Sequence, residues 1–184
     1  LGSHERLPEA YWGKPSGLNC LDTVVSQVWH EGYSHHITRL MVLSNWGSLL
    51  DVSPRELTDW FWAAYTDAYE WVVEPNVLAL GTYACGNLVT SKPPISGSAY
   101  LNRMSDYCTG CQFSPKEMCP MTRMYWHFLD RHQATLDVNP MMTTVIASSR
   151  KRKKEERQRD RAVADYVKKT LGVGQPVKRS AIEE

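Results

Sequence analysis

Apolar residues recur three and four positions apart along most of the chain, and no stretch alternates with period two, so the pattern predicts an all-α fold. From Leu21 to about Leu43, the positions Leu21, Val24, Val25, Val28, Ile37, Leu40 and Met41 share one face, predicting a long helix with an interruption at Gly32. In "SPREL", Ser53 is placed to cap, Pro54 to occupy the first helical position and Glu56 to reach back to the cap amide. That helix is predicted to run through "TDWFWAAYTDAYEWV" and to stop before Pro75, because a residue ahead of proline is pushed out of helical geometry. "NVLALGTYAC" predicts a short third helix, followed by a Gly-, Ser- and Pro-rich loop from Gly86 to Ser98. Ser114 to Glu117 repeats the capping pattern ahead of the amphipathic "PMTRMYWHFLDRHQATL". Asn139-Pro140 opens a last helix, predicted to continue through "SSRKRKKEERQRDRAVADYVKKTL" and end at Gly172 in a left-handed cap. Residues 1–19, with Pro8, Gly13, Pro15 and Gly17, form a loop around Tyr11-Trp12.

A chain of 184 residues, 42 % apolar, is long enough for one domain with a real core. Lys and Arg number 21 against 20 Asp and Glu, so no global basic field announces a nucleic-acid partner, and any basic surface is local. The one concentrated run is "RKRKKEERQRDR". Its mixed charges suit a solvated helix, and a nucleic-acid role rests on Arg150 to Lys154. No apolar run spans a membrane and no secretory signal is visible, which gives the expectation of a cytoplasmic protein. The opening at Leu1 rather than Met points to a piece of a longer polypeptide. Five cysteines, an odd number, argue against a paired disulfide set and favour metal. Seven Trp and nine Tyr against three Phe supply packing volume and also oxidisable rings.

Three groups of residues carry chemistry. Cys108 and Cys111 form a C-x2-C, with Cys119 and Pro120 following. Two thiolates on one turn and a third returning through a short loop suit one metal ion or one iron-sulfur cluster. The fourth ligand would be Cys20, Cys85 or a nearby His. Without a second closely spaced pair, the pattern favours a cluster over zinc and leaves open that no metal binds. In "HHITR", His35 and His36 are predicted about 100° apart on a helix that Arg39 shares, an arrangement that either protonates and holds a substrate or is a polar helix surface. In "TDAYEWVVEPN", Asp67 and Glu70 are predicted one turn apart on an otherwise aromatic helix, with Arg39 as the partner for a buried carboxylate.

Taken together, "AYWGKPSGLNCLD", "HHITRLMVLSNW", "LTDWFWAAYTDAYEWVVEPNVLALGTYACG", "SKPP", "AYLNRMSDYCTGCQFSPKE" and "CPMTRMYWHFLDRH" resemble, in order and spacing, the C-terminal catalytic half of the iron-sulfur bacterial cryptochromes and photolyases, the prokaryotic (6-4) photolyase-like flavoproteins. The resemblance covers about residues 10 to 148. It implies a helical FAD-binding domain with a 4Fe-4S cluster on Cys20, Cys108, Cys111 and Cys119, leaving Cys85 as a core or pocket thiol. It implies His36, Arg39, Asn45, Asp67 and Glu70 as flavin-pocket residues, and His35 and His36 as the acid and hydrogen-bonding pair in repair. By the same resemblance Tyr100, Asn102 and Arg103 approach DNA, and Trp12 and Trp60 relay electrons. The chain departs from the family pattern at Val73-Glu74, where a polar residue is expected at or beside Val73, and in having no counterpart of the family's antenna domain and first flavin-domain helices; Phe61 stands where some relatives have Tyr.

The resulting expectation is a light-driven lyase that passes an electron from reduced FAD to a (6-4) photoproduct in UV-damaged DNA. It is a monomer with a helical domain at 1–148 and a basic helix and tail at 149–184. Its partner within the same protein would be an N-terminal α/β antenna domain that has no counterpart here. The alternatives are a cryptochrome that senses blue light without repair, or a flavin-free nucleic-acid-binding module, since the cluster-bearing domain also resembles that of primase large subunits.

Overall fold

The computed structural model describes residues 1–183 of the 184, and its regular structure is helical. Among the described residues, the one β contact is an isolated parallel bridge between Glu5 and Val52. The elements are α1 (Asn19–Glu31), α2 (His36–Thr38), α3 (Asn45–Leu49), α4 (Pro54–Ala64), α5 (Glu70–Val73), α6 (Ser98–Met104), α7 (Pro120–Arg131), α8 (Gln133–Leu136), α9 (Thr143–Arg150), α10 (Lys154–Gly172) and α11 (Ser180–Glu183). A π-helical stretch, Arg39–Ser44, joins α2 to α3, and a second, Glu74–Gly81, continues α5.

The predicted helix over 21–43 is two helices. Gly32 takes φ 62°, a left-handed conformation that ends α1, and its Cα lies so close to Thr66 that a Cβ would come within 2.7 Å of the Thr66 methyl. The chain restarts only at His36, so His35 is not helical but caps α2, its Nδ1 accepting from the Ile37 amide at 3.1 Å. The helix predicted from Pro54 to Pro75 is also two. α4 stops at Ala64 because Thr66 donates both its amide (2.9 Å) and its hydroxyl (3.2 Å) to the Gly32 carbonyl. Asp67 therefore lies in the break and not one helical turn from Glu70.

Helix resumes at Glu70 and runs through Pro75, against expectation. The proline sits at the start of the π stretch, where the wider register accommodates its missing N–H, and Asn76 Nδ2 donates to the Val72 carbonyl at 2.8 Å. Neither expected capping box forms. Glu56 instead accepts the Leu7 amide at 2.6 Å, tying the N-terminal segment to α4. Residues 114–118 make only turns, and α7 begins at Pro120, with Cys119 held extended ahead of it. The last predicted helix breaks at 151–153. There Lys153 is extended and caps α10 through its amide to Glu156, while Arg157 donates to the Arg150 and Arg152 carbonyls and closes α9. α10 ends at Gly172 as expected, but the left-handed glycine is Gly174, at φ 68°.

The core is built on Tyr11, Trp46, Trp60 and Phe61, all fully buried with the apolar faces of α1, α4 and α7 around them. The indole N–H groups of Trp29 and Trp60 both donate to the Tyr11 carbonyl at 3.0 Å, and the Tyr11 hydroxyl donates to the Leu43 carbonyl at 2.7 Å. Thus the Tyr11-Trp12 segment, which is a 3-10 helical turn (Glu9–Trp12) and not the expected loop, is locked into the helical body. α10 buries Val163, Ala164, Val167 and Leu171. It packs along α7, with Asp160 between Arg123 (3.2 Å) and Arg152 (2.6 Å).

Candidate functional site

The break at Gly32 and the break at Thr66 meet, and this sets the site. Arg39, on the first turn of the π stretch, donates from Nε to the Ser34 carbonyl at 2.9 Å and grips Asp67 with both guanidinium nitrogens at 3.0 and 2.8 Å. Arg39 and Asp67 are thus paired as the sequence suggested, but across two breaks instead of two helices. The guanidinium lies 4.1 Å from the Tyr65 ring centre and 5.1 Å from that of Tyr33. Behind it, the hydroxyls of Tyr65, Ser34 and Thr38 connect at 2.7 and 3.1 Å. Burial pushes the Tyr65 phenol up to about 12, so it stays protonated.

Two cavities open here and share His36 and Leu40. One, of about 220 Å³, lies over the Arg39–Asp67 pair, between Phe61, Tyr65 and Asn76. The other, of about 650 Å³, lies between the HHITR turn, the "KPPISG" loop and α6 and α7, walled by Met41, Pro94, Tyr100, Tyr125 and Trp126. Its size and its mostly apolar, aromatic wall suit a planar ring ligand, since small-molecule pockets run about 300–1,000 Å³. His36 is exposed on the rim between them, and His35 faces a third hollow with Met104 and Tyr107.

The other expected residues divide. Tyr100, Asn102 and Arg103 are exposed on α6, with Tyr100 on the large cavity's mouth and the Arg103 guanidinium 5.4 Å from the Tyr100 ring centre. Asn45 is fully buried and lines neither cavity. Its amide nitrogen donates to the Ser96 carbonyl at 3.1 Å and its oxygen accepts the Ser96 amide at 3.1 Å, so it fixes the loop that forms the large cavity's wall. Glu70 is exposed at the start of α5. Trp60 is buried and Trp12 exposed. Between them runs an aromatic chain: Tyr65 stacks on Phe61 (5.1 Å), Phe61 meets Trp60 (5.2 Å), Trp60 meets Tyr11 (5.2 Å), and Trp29, bonded to the Tyr11 carbonyl, lies against Trp12 (5.8 Å). Sequence reasoning did not single out Tyr65, Tyr125 and Trp126; the excess of Tyr and Trp over Phe was the available signal.

Cys20 starts α1 and is buried under Trp46, whose indole N–H donates to its sulfur at 3.4 Å. Burial pushes its thiol up to about 12, and the nearby Cys119, Cys111 and Cys108 add to that shift. Cys119 is pushed up to about 11, again chiefly by burial. The four sulfurs are therefore electrostatic neighbours. Cys85 is exposed, which corrects the expectation of a core or pocket thiol; it follows the left-handed turn at Tyr83 that carries the chain outward. Among the described residues, no group of three or more His, Cys, Asp or Glu side chains closes round a single metal ion.

No family model matches the chain. It is 37 % identical over 147 residues to a (6-4) photolyase of Agrobacterium fabrum, a match covering 77 % of this chain and 29 % of that protein. It is 35 % identical over 66 residues to an uncharacterized protein of Acanthamoeba polyphaga mimivirus, covering 36 % of this chain and 54 % of the viral one. The chain thus spans about a third to a half of the length of these relatives. The helical architecture and the extent of the photolyase match support a relationship between this chain and the photolyase/cryptochrome family.

Proposed function

We propose that this chain is the flavin- and cluster-bearing catalytic part of a light-driven DNA repair lyase acting on (6-4) photoproducts. The observation that carries the reading is His36 on the rim shared by two cavities, one of them also lined by the bidentate Arg39–Asp67 pair, in a chain similar to a (6-4) photolyase. Bound FAD, when reduced and excited by light, would supply an electron to the lesion. The smaller cavity offers Arg39, held rigid by Asp67 and two tyrosine rings, to an anionic or carbonyl edge of the flavin. The larger one offers an aromatic slot to a base swung out of the duplex, which needs stacking walls and a hydrogen-bonding edge.

His36 reaches both spaces, so its imidazole gives or accepts a proton at the lesion during bond rearrangement. His35 caps α2 through Nδ1, which fixes the turn and leaves Nε2 as its outward atom. Tyr100, Asn102 and Arg103 hold the strand at the mouth. Electrons that reduce the flavin enter along Trp12, Trp29, Tyr11, Trp60 and Phe61. Cys20, Cys108, Cys111 and Cys119 would hold a 4Fe-4S cluster whose role is structural, joining the start of α1 to the turns before α7.

The visible absorption spectrum of the purified protein tests the cofactor content. Structured flavin bands above a broad cluster shoulder support the proposal. A shoulder alone would favour a flavin-free nucleic-acid-binding module, and neither feature would leave the chain without its proposed chemistry.

A further inference from the structure

A second surface lies on the other side of α7 from the aromatic cavity. Between Arg150 and Arg161 the chain carries eight basic and three acidic side chains in twelve residues, while the whole protein has a net charge of only +1. The rest of the molecule is therefore net acidic, and its positive field is gathered here. α10 places Lys154, Arg157, Arg161 and Lys168 three, four and seven positions apart, so they form one stripe about 21 Å long. The stripe faces His127 and Arg131 of α7 across a groove of about 570 Å³.

The carboxylates do not neutralise it. Arg131 and Lys168 share the single buried Asp51, which leaves one positive charge in excess. Arg157 reaches Asp130 at 3.3 Å, and Arg161 reaches Asp165 only at 3.7 Å with both side chains exposed. Lys154 is exposed at the groove's end. His127 reports the field: burial first, then Lys168 and Arg131, hold its imidazole below the usual histidine range.

We propose that the groove between α7 and α10 is a second nucleic-acid contact, in which Lys154, Arg157 and Arg161 track the phosphate backbone of duplex DNA. A stripe of that length covers about six base pairs of one strand, and guanidinium groups match phosphate geometry. The groove has no apolar side chain to enter a bilayer, which argues against a membrane surface. Arg152, just ahead of α10, places its guanidinium 4.7 Å from the ring centre of Trp126, a wall of the large cavity. The inference extends the DNA reading above to a new surface, and needs neither flavin nor light.

The test is fluorescence anisotropy of a labelled, undamaged duplex in the dark across a salt series. Lys154→Gln with Arg161→Gln should weaken binding about tenfold at moderate salt and lower the slope of log K against log salt by about two. Lys14→Gln with Arg55→Gln removes the same charge from exposed sites elsewhere and should leave both unchanged. Wild-type binding by the groove variant, or equal weakening by both pairs, overturns the proposal. So does loss of binding to anionic phospholipid vesicles with duplex binding intact. Protein that binds the duplex through the groove yet never takes up flavin would sink the repair reading and leave this one standing.

Discussion

Asp51 combines a left-handed backbone, φ 61°, with a carboxylate that is almost fully buried and held by both Arg131 and Lys168. Burial alone would raise its pKa, but the hydrogen bonds and charges of the two cations outweigh that and hold it below the usual range. Its ionised form therefore stabilises the fold above the unfolded carboxylate pKa, and that contribution is lost as pH falls through the lower folded value. Asp51→Ala should cost about 2–3 kcal/mol in chemical denaturation, less than a fully buried pair because Arg131 is partly solvated. Asp51→Asn, which tolerates the left-handed backbone, should cost less. His132 adds a second pH dependence. Burial, then the adjacent Arg131, lower its pKa to about 4, and Arg131 donates to its Nε2, so the folded imidazole is neutral. The unfolded state takes up this proton first, so stability should fall as pH drops from about 6.5 towards 4. His132→Gln should flatten that part of the profile in pH-dependent denaturation; an unchanged profile would remove His132 as its cause.

Two breaks shape the site at the scale of elements, and both depend on Gly32. A side chain there would be strained by the positive φ and would strike Thr66, so Gly32→Ala should cost about 1–3 kcal/mol in chemical denaturation and shift the tyrosine environment around Arg39. Helical periodicity made the helices legible because apolar spacing reports which face is buried. It could not reveal where they stop, since the Thr66–Gly32 bonds, the Glu56–Leu7 bond and the π register at Pro75 are decided by residues distant in sequence or by local register changes. The sequence pattern pairs Arg39 with Asp67, as the structure does, but places His35 and Asp67 on helices that stop short of them. The cysteine elements carry a further prediction. If Cys20 anchors a cluster, Cys20→Ser should lower iron and labile sulfide content and the melting temperature together, whereas Cys85→Ser should change neither.

For the whole molecule, one face gathers His36, the two cavities and α6, while another gathers the positive charge of α10. Among the described residues no helix is long and apolar enough to cross a membrane. If flavin binds as proposed, Trp60→Phe should slow its photoreduction while leaving its absorption spectrum in place, because Trp60 joins Phe61 and Tyr11 in the run of rings that ends at Tyr65. The proposed activity of the whole molecule is light-driven repair. Its most direct test is a duplex carrying one (6-4) photoproduct, mixed with the protein and reduced FAD, illuminated with blue light and assayed for restored pyrimidines. Restoration is expected in the light, none in the dark, and loss with His36→Ala; lesion DNA that is bound but unchanged after illumination would rule out the repair function.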